Sequence, residues 1–448
     1  MTISSDKKFY KHLWKLTIPL FLQQLLRISV DTINSIMLGS IDQIQMSALS
    51  QANQIFFVYF ALCNGLASGC AVLVSQHWGK KDYNSISIII AQSLRVVFVF
   101  GMLVSILVGL FPEMFMRIYS SDAQIIAIGS QHLRKVCLMY TICAISTTTL
   151  ASSRALEQVR VVLVTNIISY GVNIFLDYIL IFGKLGIAPM GIEGVAVGTI
   201  IARIVEFLIC GMFFIKDPAI PFMLRDLKLF DADLRKMLFK VSLPIVGHEL
   251  VWSLGTSSGA MITGQMGKSA VAGYNVTNVL YELCATLGNG YLTAASVVLP
   301  MSLGKGEIDE AKKQANSILL IALAIGFSMS LITLLVKNSF LSLYVLDTDA
   351  LKYAKQFINI IAVIWPFSLI EMVTMVSILR SGGDGKVGFY TDLIVMWFIC
   401  IPLAFLAFKN HAQPWMIVAI IKGIIVLEAV VGWTRVFQYK WVKNLTNN

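Results

Sequence analysis

The chain has 448 residues, of which 57% are hydrophobic and 13% charged, with a mean hydropathy of +0.77 and a net charge of +10. Soluble domains hold about 45–50% apolar and about 25% charged residues, so this composition excludes an ordinary soluble enzyme and any disordered or fibrous protein. The apolar residues come in blocks of about 20–30, long enough to cross a bilayer as helices, and the alternating strands of a membrane barrel are absent.

In chain order the sequence predicts twelve spans, at about residues 13–39, 47–76, 86–111, 123–150, 160–182, 192–215, 236–263, 272–302, 312–336, 351–378, 388–408 and 414–436. The start, MTISSDKKFYKHLWK, runs into the first span without a typical cleavage site, so no cleavable signal peptide is expected. The expected organisation is an N-terminal six-helix bundle over 1–215, a polar linker over 216–235 and a C-terminal six-helix bundle over 236–448. The seven cysteines all lie in apolar segments without a CxxC pair, and are read as small packing residues.

The basic residues read as an orientation signal rather than a nucleic-acid surface. Twenty Lys and Arg flank the spans at the N-terminus, the even-numbered loops and the tail, from Lys7 and Lys8 through Arg154, Arg160 and Lys216 to Lys440 and Lys443. The odd-numbered loops hold six: Arg117, Lys184, Lys268, Lys337, Lys352 and Lys409. Both termini are therefore expected in the cytoplasm, in a multi-pass protein of the cell membrane.

Residues 13–80 and 238–305 align without a gap at an offset of 225, with 12 identities in 68 positions. The pairs include Pro19 and Pro244, Gly39 and Gly264, Asn53 and Asn278, Asn64-Gly65 and Asn289-Gly290, and Gly79-Lys80 and Gly304-Lys305. An even number of spans per half makes the two halves parallel repeats, a design that places substrate between them and works by rocking. A symmetric channel or a scaffold is the bland alternative, and charge buried in the spans argues against it.

Acids inside a membrane span are costly and point to function. Asn173 and Asp177 stand at i and i+4 on one helix face, a pair of oxygen donors suited to a proton or a small cation. Asp31 in the first span could approach from a neighbouring helix, with Asn34 on much the same face. In the second half Glu249 lies five residues after Pro244, and Glu282 and Glu371 have no basic partner of their own span within a helical turn and would attract cations. Glu206 has Arg203 at i−3 and reads as a local ion pair. Glu428 has no helical match, and Asp392 lies near a span end. No HExxH, GxSxG or Walker A motif is present, so an enzyme and a built-in ATPase are not expected.

Several stretches resemble the multidrug and toxic compound extrusion (MATE) transporters. Asn173-Ile-Phe-Leu-Asp177, Ile181-Phe182-Gly183 and Gly194-Val-Ala-Val-Gly-Thr199 look like the family's fifth and sixth helices. Leu379-Arg-Ser-Gly-Gly-Asp384 is similar to its loop after the tenth helix, and Asp392 through Ile401-Pro402-Leu403 to its eleventh helix in Gram-positive members. The proline-led first and seventh helices complete the pattern. The resemblance implies an all-α protein of twelve helices in two pseudo-twofold-related bundles, an antiporter exporting organic, mostly cationic amphiphilic compounds. It implies H+ or Na+ as coupling ion and no other cofactor, with partners limited to small organic cations and the lipid bilayer, no nucleic acid, and a monomeric state.

In many members an Asp of the first helix joins Asn and Asp of the fifth and Thr of the sixth; Asn173, Asp177 and Thr199 match three of these. Counting from Pro19 or Gly39, the first-helix position falls on Asn34, with Asp31 one turn earlier. Glu249 matches an acid at the start of the seventh helix in some bacterial members, and with Glu282 and Glu371 it is a candidate second acidic site for substrate or a proton. A lipid-linked sugar flippase of the same superfamily is a rival, but would be expected to have a more basic cavity. A major-facilitator carrier is another, but Gly79 and Asp82 stand one residue closer than its loop motif requires.

Overall fold

The computed structural model describes residues 2–39, 42–216 and 222–446, apart from the side-chain surroundings of residues 31, 35, 36, 38, 39 and 43. The described residues form helices and connecting turns, with no strand. The helices are α1 (Lys7–Gly39), α2 (Gln43–Lys80), α3 (Tyr83–Leu110), α4 (Pro112–Tyr119), α5 (Ala123–Ala155), α6 (Val159–Phe182), α7 (Ile192–Lys216), α8 (Ala232–Thr263), α9 (Lys268–Gly304), α10 (Ile308–Leu341), α11 (Thr348–Glu371), α12 (Leu379–Ser381), α13 (Lys386–Asp392), α14 (Ile401–Lys409) and α15 (Pro414–Phe437). Two π-helical turns interrupt this series: Met372–Ile378 joins α11 to α12, and Leu393–Cys400 joins α13 to α14. Eleven helical segments among the described residues are long and apolar enough to cross a membrane, and α1, of 33 residues, precedes them.

The repeat seen in the sequence sets the helix starts. α1 and α8, α2 and α9, α3 and α10, and α5 and α11 each begin 225 residues apart. Local chemistry fixes several of these starts. Asp42 caps α2 by accepting from the backbone N–H of Ile44 at 2.7 Å and Gln45 at 3.1 Å, and these donors hold its carboxyl below the usual carboxylate range. Asp122 and Asp347 cap α5 and α11 in the same way.

The chain divides into two compact units, residues 22–242, and residues 1–21 with 243–448. The divisions fall beside Pro19 and Pro244, each inside a helix, where proline removes a backbone donor. In the first unit α5 packs against α2, α3 and α7, and α6 packs on α7. Its apolar core gathers Tyr59, Met116, Leu133, Val136 and Tyr140, and the Tyr59 hydroxyl donates to the Tyr140 carbonyl. In the second unit α11 packs against α9, α10 and α15. There Trp365 is fully buried and its Nε1–H donates to Thr333 Oγ1 at 3.1 Å. The central helix of each unit, α5 or α11, is the fourth span of its half, so the repeat extends from sequence to packing.

Of the expected linker 216–235, residues 217–221 lie outside the described residues, Leu224–Lys228 forms a 3-10 turn, and α8 starts at Ala232. α4 was not expected as a helix: Pro112 at its first turn starts it, in a stretch too short to register as a span.

Candidate functional site

In the first unit Thr165, Asn166, Ser169, Asn173 and Asp177 of α6 are buried. Asp177 is 0% exposed and Asn173 is buried beside it. Asn173 Nδ2 donates to Asp177 Oδ2 at 3.0 Å, the i to i+4 geometry that one helix face provides. Asn34 of α1 donates through Nδ2 to Asn173 Oδ1 at 3.1 Å. The result is a line of donors, Asn34 to Asn173 to Asp177. At each end an oxygen is left over: Asn34 Oδ1 and Asp177 Oδ1 are buried without a hydrogen-bond partner among the described residues. Unsatisfied buried acceptors are costly, and a carboxylate oxygen most of all; a bound proton or small cation would satisfy them.

α7 is shaped to this carboxylate. A Cβ at Gly198 would collide with Asp177 Oδ1, so glycine lets the two helices close over the acid. Thr199 follows on α7, half-buried, and makes no hydrogen bond to Asp177 or Asn173 among the described residues. Asp31 lies on α1, but its side chain is outside the described residues. The structure thus brings together Asn34, Asn173 and Asp177, with Thr199 adjacent in the chain to the packing glycine.

In the second unit the centre is Arg380, 3% exposed, on α12. Its Nη2 donates to Glu249 Oε1 at 2.9 Å and to His248 Nδ1 at 2.7 Å. Glu371, at the end of α11, lies within electrostatic reach of Arg380 and Glu249. His248 Nε2 stands 3.3 Å from Asp392 Oδ2. Glu428 of α15 lies beside Asp392. The loop that delivers Arg380 is fixed from outside: Arg435 of α15 holds Asp384 through two 2.8 Å contacts, and Gly382 leaves room for the Trp441 carbonyl, where a Cβ would clash.

The three acids expected together do not form one group. Glu249 and Glu371 share Arg380, whereas Glu282 is exposed on α9, within reach of Lys422. The Lys422 ammonium sits 4.3 Å from the Tyr281 ring centroid, and Tyr281 stacks on Trp365 at 4.7 Å with an 11° tilt. The Glu206–Arg203 pair forms as its spacing suggests, at 2.7 Å. Sequence reasoning passed over His248, because a single histidine on an apolar helix carries no pattern. It left Glu428 open, because its neighbour comes from another helix.

Two repeated bundles of membrane helices, each with buried acids among amide and guanidinium partners, define a polytopic membrane transporter rather than an enzyme. The MatE family model matches residues 19–179 and again 244–406, the two matches starting 225 residues apart like the repeat itself. The chain belongs to this family of transporters. The uncharacterized transporter YisQ of Bacillus subtilis is 23% identical over 405 residues, covering 90% of this chain and 88% of its own. The probable multidrug resistance protein NorM of Pasteurella multocida is 25% identical over 420 residues, covering 90% and 87%. A crystal structure of the MATE transporter VcmN of Vibrio cholerae shares the fold, with a TM-score of 0.87 at 16% identity over 96% of this chain and 97% of that one.

Proposed function

We propose that this MATE transporter is an antiporter of the cell membrane that exports small organic cations, with inward movement of H+ or Na+ as the driving step. The observation that carries the reading is Asp177, buried, held on one oxygen by Asn173 and unpartnered on the other. Asn34 and Asn173 orient it, and Thr199 flanks the site from α7. An ion on Asp177 changes the charge of a buried site by one unit, which is a sufficient lever if substrate binds the two charge states with different affinity. The name given to the Pasteurella relative, a probable multidrug resistance protein, supports an organic substrate. Glu282, exposed on α9, is the carboxylate we assign to a substrate ammonium; Glu249 and Glu371 face Arg380 and are held for structure or protons.

The test is export of a cationic dye from vesicles bearing the full chain, under an imposed pH or Na+ gradient. Wild type is expected to respond to one of the two gradients, and Asp177→Asn to lose that response. Gradient-driven export by Asp177→Asn at the wild-type rate would remove Asp177 from coupling. Glu282→Gln is expected to raise KM for the dye while keeping ion dependence.

A further inference from the structure

The second-unit cluster holds four carboxyl groups, Glu249, Glu371, Asp392 and Glu428, around one guanidinium, Arg380. The sulfhydryl of Cys400, from the second π turn, also lies near Glu428. Arg380 is already committed to Glu249 and to His248 Nδ1. Because Nδ1 accepts, the neutral imidazole carries its hydrogen on Nε2. That nitrogen is aimed at Asp392 Oδ2, 3.3 Å away, yet neither atom has a hydrogen-bond partner. His248 is 5% exposed and Asp392 1%. The ring gets this close because α13 offers Gly388, where a Cβ would lie 2.7 Å from His248 Cδ2.

Glu428 is buried too, with Oε1 unpartnered, and its carboxyl lies within hydrogen-bonding range of the Asp392 carboxyl. Two carboxylates in contact away from water cannot both be ionised; the contact requires a proton between them. The internal repeat sharpens the point. Glu428 is the fifteenth residue of α15 and Glu206 the fifteenth of α7. Glu206 is neutralised by Arg203 three residues earlier. The residue three before Glu428 is Ile425, so Glu428 has no guanidinium at that spacing and meets a second acid instead.

We propose that Asp392 and Glu428 form a proton-binding site in which two carboxyl groups share one proton, with His248 as the positioning residue. On uptake one carboxylate becomes the donor to the other; on release the proton passes to water and two carboxylates remain, a state that burial disfavours until water reaches them. The Nε2–H of His248 faces the pair and stabilises the ionised member. The site is separate from Asp177 and its occupancy does not depend on which ion drives export.

Infrared titration of the full chain in lipid vesicles tests it. Wild type is expected to show a protonated-carboxyl carbonyl stretch that persists at neutral pH and disappears on alkaline titration. Isotope-labelled aspartate and isotope-labelled glutamate should each shift that band, a readout that needs no substitution. The component that both labels shift should vanish in both Asp392→Asn and Glu428→Gln, survive in Asp177→Asn, and move its midpoint in His248→Gln. A band insensitive to either label, or one that survives in Asp392→Asn and Glu428→Gln, overturns the proposal, as does its loss in Asp177→Asn.

Discussion

At the residue scale, Arg380 and Gly198 do opposite jobs. Arg380 supplies charge where four acids converge. Removing one partner of a buried pair leaves the other uncompensated and costs about 3–5 kcal/mol. Arg380→Ala is therefore expected to lower the melting temperature of the detergent-solubilised protein markedly, with part of the loss recovered in the Arg380→Ala, Glu249→Gln double variant, since the two residues are in contact. Additive losses in that pair would mean the bridge contributes little. Gly198 supplies space. A methyl group there meets Asp177 Oδ1 and must push the carboxylate off Asn173. Overpacking of this kind costs about 1–3 kcal/mol, and Gly198→Ala should reduce ion-driven dye export even though it alters no charged residue; unchanged export would show that the position of Asp177 is not critical. The acids themselves were legible in the sequence, because charge in an apolar run stands out. Their partners were not. Asn173 and Asp177 could be paired from spacing alone, whereas Arg380, His248 and Asp392 meet only through tertiary packing.

At the element scale, what was legible depended on contrast. The gapless offset of 225 residues foretold matching helix starts, because the repeated residues, Gly79-Lys80 and Gly304-Lys305 among them, fall at helix ends in both halves. The π turns left no such trace. Leu393–Cys400 reads LIVMWFIC, apolar on every side, so no polar stripe reveals the extra residue per turn. Both π turns adjoin the acidic cluster: one follows Glu371, the other follows Asp392. Such insertions are often retained at functional sites. Deleting exposed Ile394 should restore a regular α-helix and rotate α14 by about 100° relative to Asp392. Circular dichroism is expected to stay helical while dye export is lost. Wild-type export by the deletion variant would make the π turn a neutral feature of packing.

At the scale of the whole molecule, the family match falls on the repeat, once per half, so the unit that the sequence repeats is also the unit that the family preserves. The charge pattern belongs to this scale as well. Each half holds six spans, so both halves begin and end on one side. The asymmetry of twenty basic flanking residues against six then predicts one orientation for the entire chain. We infer that the N-terminus, the loop at Lys81 and the tail face the cytoplasm, and that the loop at Lys184 faces outward. Cysteine labelling can decide this. The native cysteines are buried or half-buried within helices, so they offer a low background. Lys184→Cys is expected to react with a membrane-impermeant maleimide in intact cells, and Lys81→Cys only after the membrane is opened. The reverse pattern would mean that the basic loops lie outside.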